Sequence, residues 1–298
     1  MNFAQLRAFH AVAKYGTFSA AAQALGVSQS AITQNVRALE DSMGGRLFYR
    51  RGTGVELTAD GDDLLPHVLG IIKGLEDVTA RLGGGKQLRI GHLSVGLCAP
   101  HVVMPLIRQF RSGHPGIRID TRMHNTGQLL KLVAQWRVDL AVVTLTAPVE
   151  DLACHRLADQ QVLLLVPADH PWAEREAVDV AELAGQPFVL REQGSMTQQI
   201  FDEALASRAI EVRTELVLAS REAVKEAVAS GLGLGVVLDK ELGHDSRLAG
   251  IRLVGADLSA AEYLVAHQEV AELGAVREFI SLCLGRTGAE PAADVPSA

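Results

Sequence analysis

Cysteine is scarce. Three cysteines among 298 residues, Cys98, Cys154 and Cys283, are too few and too scattered for a disulfide framework. They read as reduced, mostly buried thiols of a cytoplasmic protein. The ten histidines form no HxxxH or HExxH pair. No GxSxG elbow occurs either. Enzyme chemistry of those kinds is therefore unsupported, and no metal or cofactor is expected. Aromatic residues make up only 4% of the chain, and both tryptophans, Trp136 and Trp172, read as core or lobe-surface packing. No run approaches the roughly 20 apolar residues that span a bilayer. Met1 to Gln5 lack the basic region and apolar stretch of a secretory signal, so a cytoplasmic location away from membranes is expected.

What is present is an ordinary globular mixture, 48% hydrophobic and 21% charged, long enough for two or three domains. Its charge is uneven. The chain carries −7 overall, yet residues 1–58 hold six basic side chains (Arg7, Lys14, Arg37, Arg46, Arg50, Arg51) against three acidic ones (Glu40, Asp41, Glu56). A small basic head on an acidic body fits a polyanion partner for the head alone.

The first eighty residues read as helices. Phe3, Leu6, Phe9, Val12 and Ala13 recur at helical spacing up to Gly16. A short alanine-rich helix, Ser19 to Leu25, stops at Gly26. Ser28 then caps a third, with Ile32, Val36, Leu39 and Met43 on one face. Arg46 to Arg51, a turn at Gly52 to Gly54, and Val55 to Leu57 predict a hairpin with arginines at its tip. Thr58 can cap a long helix to about Leu82, whose Leu64, Val68, Ile71, Leu75, Val78 and Leu82 form nearly three heptads of apolar seam. Pro66 is expected to bend its start, and Gly83-Gly84-Gly85 to form a hinge. So regular a seam is best buried against a copy of itself.

From Gln87 strands alternate with helices. Runs at 88–91, 117–120, 138–143, 162–166, 188–190, 211–218, 234–238 and 263–265 read as strands, separated by helices such as Val103 to Phe110, Gln128 to Trp136 and Glu222 to Ala229. A mainly parallel α/β arrangement is predicted. Gly231-Leu-Gly-Leu-Gly235 follows a helix and precedes a strand, the reverse of dinucleotide-binding order, and reads as a tight turn. Residues 286–298, rich in Ala, Pro and Gly, are expected to be a disordered tail.

Three helices with a tight turn at Gly26-Val27, followed by a hairpin, make a winged helix-turn-helix. Gln29, Ser30, Thr33, Gln34 and Arg37 supply a polar front on the third helix able to reach base edges. Gln and Arg form two-pronged hydrogen bonds with purines, and Ser and Thr suit phosphate oxygens or a thymine methyl. Arg46, Arg50 and Arg51 are placed for the sugar-phosphate backbone or minor groove, where they add affinity without sequence choice.

Those residues carry a family resemblance. Leu6-Arg-Ala-Phe9, Gly16-Thr-Phe-Ser-Ala-Ala-Ala22, Leu25-Gly-Val-Ser-Gln29, Ile32 to Glu40, Leu47-Phe48 with Arg50, and Leu57-Thr58 resemble the N-terminal domain of LysR-type transcriptional regulators. The remainder has the order and lengths of that family's effector-binding domain. Ser30 stands where the family usually has Pro and Gln34 where Arg is common, so base preference does not transfer; Asp60 stands where a small residue usually precedes Gly61. The resemblance implies a winged helix-turn-helix (1–58), a linker and dimerisation helix with hinge (59–86), and a two-lobed α/β domain like a periplasmic binding protein (87–285). Lobe 1 then spans about 87–160 and 266–285, and lobe 2 about 161–265. Implied partners are double-stranded DNA, a small anionic or zwitterionic effector, copies of the same chain up to a tetramer, and RNA polymerase.

Two α/β lobes place a ligand in the crevice outside the carboxyl ends of their strands. Ser94, Asn125-Thr126, Ser195 with Thr197, and Ser220-Arg221 each sit where a strand gives way to a helix, and Arg191 or Arg221 offers a fork for an anion. Singly each is an ordinary helix cap; together they predict an anion site. Arg191 to Thr197, Ala219 to Ala227 and Glu262-Tyr263 resemble the LysR-type subgroup associated with 2-aminoethylphosphonate catabolism, which implies a zwitterion whose amine lies near Glu192, Glu222 or Glu262. The alternatives are the same kind of regulator sensing another carboxylate or anion, and a cytosolic solute-binding protein, against which the helical head argues.

Overall fold

The computed structural model describes residues 1–51, 54–82, 91–271 and 274–287. Its head is built from α1 (Phe3–Tyr15), α2 (Phe18–Leu25) and α3 (Gln29–Met43), then a hairpin of β1 (Phe48–Arg51) and β2 (Gly54–Leu57). Each helix begins on a side chain that satisfies its free N–H groups. Asn2 and Gln5 form a reciprocal capping box, Thr17 Oγ1 accepts from Ala20 at 3.0 Å, and Ser28 Oγ accepts from Ala31 at 3.2 Å. Gly16, Gly26 and Gly44 end them in left-handed backbone. The apolar faces meet in one core of Leu6, Phe9, Val12, Ile32, Val36, Leu39 and Phe48.

α4 (Ala59–Leu82) runs unbroken through Pro66. Thr58 caps it, accepting from Gly61 at 3.1 Å. The predicted seam divides. Val68 and partly buried Leu64 join the head core, together with Leu65 and Leu69, whereas Ile71 and Val78 are 47% and 51% exposed. Gly83 to Gly85, expected as a hinge, and residues 288–298 of the expected tail lie outside the described residues; α10 itself (Gly274–Thr287) extends to Thr287.

The second part contains β3 (Gly91–Leu97), α5 (Pro100–Gly113), β4 (Ile117–Met123), α6 (Thr126–Ala134), β5 (Leu140–Leu145), β6 (Leu152–Pro167), β7 (Ala177–Asp179), β8 (Pro187–Arg191), α7 (Met196–Ala206), β9 (Arg213–Leu218), α8 (Arg221–Ala229), β10 (Gly235–Leu238), β11 (Leu248–Val254), β12 (Ser259–His267) and α9 (Gln268–Ala271), followed by α10. The long sheet runs β4-β3-β5-β12-β6-β11-β7, with β10 also on β6, while β8 and β9 pair separately. This corrects the mainly parallel expectation. β3 is parallel to β4 and β5, β7 to β11, and β8 to β9, but β12 is antiparallel to β5 and β6, and β6 to β10 and β11. β6 and β12 pass between two bodies in opposite directions, so each body receives a reversed strand.

Lobe 1 packs Leu93, Phe110, Leu140 and Phe279 on one face of its sheet and Leu129, Val143 and Tyr263 on the other; lobe 2 packs Val162, Phe188, Phe201 and Leu253. Ala260 belongs to the lobe 2 core and Ala261 to lobe 1. The return crossing therefore precedes the boundary expected near 265. Residues 88–90 of the run expected at 88–91 lie outside the described residues; β3 is described from Gly91 and continues through Ser94 and Gly96 to Leu97. Gly96 is required inside the strand, since a Cβ there would meet Leu129 Cδ2 at 2.8 Å and Ala141 Cβ at 2.9 Å.

Head and sensing part touch. Arg137 Nη1 donates to the Lys14 carbonyl at 3.1 Å, at the C-terminus of α1. Lys14 Nζ lies 3.3 Å from His92 Nδ1, whose Nε2 is 2.7 Å from Asp120 Oδ2. Trp136, held at φ 59°, stacks on His267 at 3.7 Å and packs against the head core.

Candidate functional site: recognition helix and interlobe cleft

On α3 the apolar positions that hold the helix to the head also aim its other face outward. Ile32, Val36 and Leu39 are buried, while Gln29, Ser30, Gln34 and Arg37 are exposed and Thr33 is half-buried. Thr33 Oγ1 donates to the Gln29 carbonyl at 2.9 Å and Ser30 Oγ lies 2.9 Å from Ser28 Oγ, so these hydroxyls are pre-positioned by the helix itself. Arg46 is exposed before the hairpin; Arg50 and Arg51 lie on β1, and their side chains fall outside the described residues. Gln29, Ser30, Thr33, Gln34 and Arg37 thus share one helix, and the hairpin follows on the same small body.

Between the lobes lies a cavity of about 350 Å³. Three helices begin on its wall. Asn125 caps α6, its Oδ1 accepting from Gln128 at 2.9 Å; Ser195 caps α7 through Gln198 at 3.5 Å; Ser220 caps α8 through Ala223 at 3.1 Å. The dipoles of these three first turns and their free N–H groups favour negative charge in the space they face. Arg191 and Arg221 line the same cavity, each with a side chain 15% exposed. Arg191 Nη2 is 3.2 Å from Glu192 Oε1, and Arg221 Nε is 3.1 Å from Glu222 Oε1 while its Nη1 bonds Glu241.

The lobes clasp beside this cavity. Asn125 Nδ2 donates to Glu192 Oε1 at 3.0 Å and to the Gln193 carbonyl at 3.4 Å, and Gly127 N donates to the Gly194 carbonyl at 3.1 Å. Gly194 has φ 94°, and a Cβ there would lie 3.0 Å from Asn125 Oδ1. The close approach needs glycine.

Of the nine residues expected at an effector site, Asn125, Thr126, Arg191, Ser195, Thr197, Ser220 and Arg221 come together on this wall. Two do not. Ser94 lies within β3, where its N–H donates to Asp139 Oδ2 at 2.8 Å; the end of that strand, and the cleft, belong to Cys98 instead. Glu262 is 0% exposed and lies behind Thr144, whose Oγ1 donates to Glu262 Oε1 at 3.0 Å. Gln160 Nε2 adds a bond at 3.4 Å, and Glu262 Oε2 has no partner. Burial raises the Glu262 carboxyl above its ordinary pKa, against the opposing pull of the Thr144 hydrogen bond, Arg221, Lys240 and Gln160.

Thr144, Glu241, His124 and Cys98 line the cavity without having been singled out from the sequence. Thr144 ends a strand that leads into a loop, and Glu241 ends a 3-10 turn, so neither carries the strand-to-helix signal. Burial, chiefly, pushes the Cys98 thiol up to about 11, with the Glu262 charge adding to it, which leaves it unreactive at neutral pH. Among the described residues no group of His, Cys, Asp and Glu could hold a metal ion, and no helix is long and apolar enough to cross a membrane.

Residues 3–62 match the model of the bacterial regulatory helix-turn-helix protein, lysR family, and residues 83–288 that of the LysR substrate binding domain. The chain is 31% identical to a RuBisCO operon transcriptional regulator of Allochromatium vinosum, over 94% of this chain and 95% of that one. A full-length OxyR variant from Pseudomonas aeruginosa superposes with a TM-score of 0.76 at 22% identity, covering 95% of this chain and 93% of that one. The regulatory domain of CcmR from Synechocystis PCC6803, in complex with 2-PG, superposes at 0.61 with 24% identity, covering 68% of this chain and all of that one. A helix-turn-helix head and a two-lobed binding domain, matched by family models over nearly the whole chain, make this protein a member of the LysR family of transcriptional regulators and not an enzyme.

Proposed function

We propose that the protein is a sequence-specific DNA-binding regulator whose action is set by a small anionic or zwitterionic effector held in the interlobe cleft. One observation carries the effector class. Three capped helix N-termini and two guanidinium groups converge on a single cavity of about 350 Å³, ample for a small organic molecule and with a chemistry for phosphonate, phosphate or carboxylate oxygens. The 2-PG held by the CcmR regulatory domain is a precedent for a small ligand in this fold. The resemblance of Arg191 to Thr197 and Ala219 to Ala227 makes 2-aminoethylphosphonate the first compound to try. The Allochromatium vinosum relative makes a RuBisCO operon promoter a second duplex to test beside the protein's own neighbouring promoters.

Gln29, Ser30, Thr33, Gln34 and Arg37 read base edges in the major groove, and Arg46, Arg50 and Arg51 hold the backbone. The exposed Ile71 and Val78 of α4 pair with the same residues of a second copy, so that two heads meet two half-sites; a tetramer and contact with RNA polymerase rest on family resemblance alone. Effector binding changes the relation of the lobes and hence the placement of the heads, by no more than its differential affinity for the two arrangements. A thermal-shift series of phosphonates, sulfonates and carboxylates tests the effector class. A ligand bound only by the native protein raises the melting temperature progressively above its Kd; no shift with any of the three anion classes removes the proposed site.

A further inference from the structure

Arg221, the first residue of α8, is the cation best placed to receive an effector anion, yet it is already occupied. Its partner inside the cleft is Glu241, whose side chain is 7% exposed, against 70% for Glu222, the other carboxylate it touches. Glu241 therefore stands where an anionic group of the effector would stand. An anion that takes the same Nη1 edge of the guanidinium must displace it.

Displacement would leave Glu241 almost fully desolvated and without its cation, which is strongly unfavourable. The neighbouring ammonium does not take over, because Lys240 Nζ is held by the Asp159 carbonyl at 2.7 Å. An effector offering only negative charge thus gains one ion pair and breaks another. One that also carries an ammonium group restores both, with its anion on Arg221 and its cation on Glu241.

The same turn is tied to the lobe crossing. Asp239 Oδ1 accepts from Gln161 N at 3.2 Å and Lys240 holds Asp159, and both partners lie on β6 where that strand passes from lobe 1 to lobe 2. Of three consecutive residues, one faces the cleft and two grip the crossing strand. His101 at the start of α5, in lobe 1, feels the charges of both Arg221 and Lys240, so the pair lies at the boundary of the lobes.

We infer that Glu241 is an internal competitor for the effector: its ion pair with Arg221 closes the empty cleft to simple anions, selects a small zwitterion, and passes the exchange through the Asp239–Glu241 turn to the β6 crossing. This rests on the interlobe cleft being the effector site. It assigns that site its ligand class and its route of transmission.

The test uses the full-length protein and calorimetric titration with ethylphosphonate and with 2-aminoethylphosphonate, which differ in the ammonium group. Glu241→Gln should tighten ethylphosphonate by about tenfold or more and weaken 2-aminoethylphosphonate, inverting their order. Glu241→Asp, which keeps the charge and shortens its reach, should move ethylphosphonate the same way and serves if Glu241→Gln does not fold. Adding Arg221→Gln to either variant should abolish the gain. Equal factors for the two phosphonates, no gain for ethylphosphonate, or a gain that survives loss of Arg221 overturns the inference. A wild-type protein that binds neither phosphonate, with a variant that gains ethylphosphonate, upholds the exchange and shows that the natural effector is not 2-aminoethylphosphonate.

Discussion

Arg137, in the turn between α6 and β5, reaches into the head and donates to the Lys14 carbonyl at 3.1 Å, in the last turn of α1. A cation at a helix C-terminus is favoured by the dipole as well as by the hydrogen bond. The adjacent Trp136 packs on the head core from the same turn, in left-handed backbone that a side chain rarely adopts. One short turn of the sensing domain therefore docks the DNA-reading domain.

Arg137→Ala should cost about 1.5–3 kcal/mol of this docking, the range of a hydrogen bond to a charged group, and leave both domains folded. Hydrogen exchange should show protection falling at residues 12–17 and 134–139 alone. Unchanged protection at both segments would show that the contact contributes nothing to the resting state.

On the head, the two kinds of contact should separate. Gln34→Ala or Arg37→Ala should cost about 1–3 kcal/mol on the specific site and little on random duplex, because each removes a base-edge contact. Arg46→Ala should weaken all duplexes alike and lower the salt slope by about one unit. Fluorescence anisotropy against specific and random duplexes over a salt series reads both; equal effects of all three changes on both duplexes contradict the division.

Ser195→Ala with Arg221→Ala should abolish the effector response without lowering operator affinity in its absence, since both residues line the interlobe cleft. A promoter-binding assay with and without effector decides it. A retained response would remove both residues from the site.

The pH dependence of stability should report on Glu262. Its folded pKa is raised above the ordinary 4.5, chiefly by burial, so the protein holds that proton more tightly when folded. Stability from this group is full below about pH 4.5 and is lost as pH rises through the raised value. Glu262→Gln, which mimics the protonated form, should melt higher than wild type at about pH 8 and no higher at about pH 4. Parallel melting curves across that range would show that Glu262 does not titrate there.

Local chemistry made the head readable. Caps at Ser28 and Thr58, left-handed glycines after the helices and the apolar spacing of α1 and α3 are contained within a few residues each. The sensing part was readable where a strand runs into a capped helix, hence Asn125, Ser195 and Ser220. It was opaque where long-range pairing decides. β7 has three residues and β11 carries Gly250, held because a Cβ would meet Leu242 Cδ2 at 2.6 Å. The reversed course of β6 and β12 depends on partners about a hundred residues apart in sequence. The subgroup resemblance implies Glu262 as a ligand, but a β-bulge between Glu262 and Tyr263 accompanies its burial behind Thr144.

The measurement that bears most directly on the whole account is retention of duplex DNA from the protein's own genomic neighbourhood across a salt series. Binding whose logarithmic affinity falls linearly with the logarithm of salt, and which shifts when the cleft is filled, is the expected result. No salt-sensitive retention of any such duplex would contradict it, and would leave a two-lobed binder of small molecules whose helical head does something else.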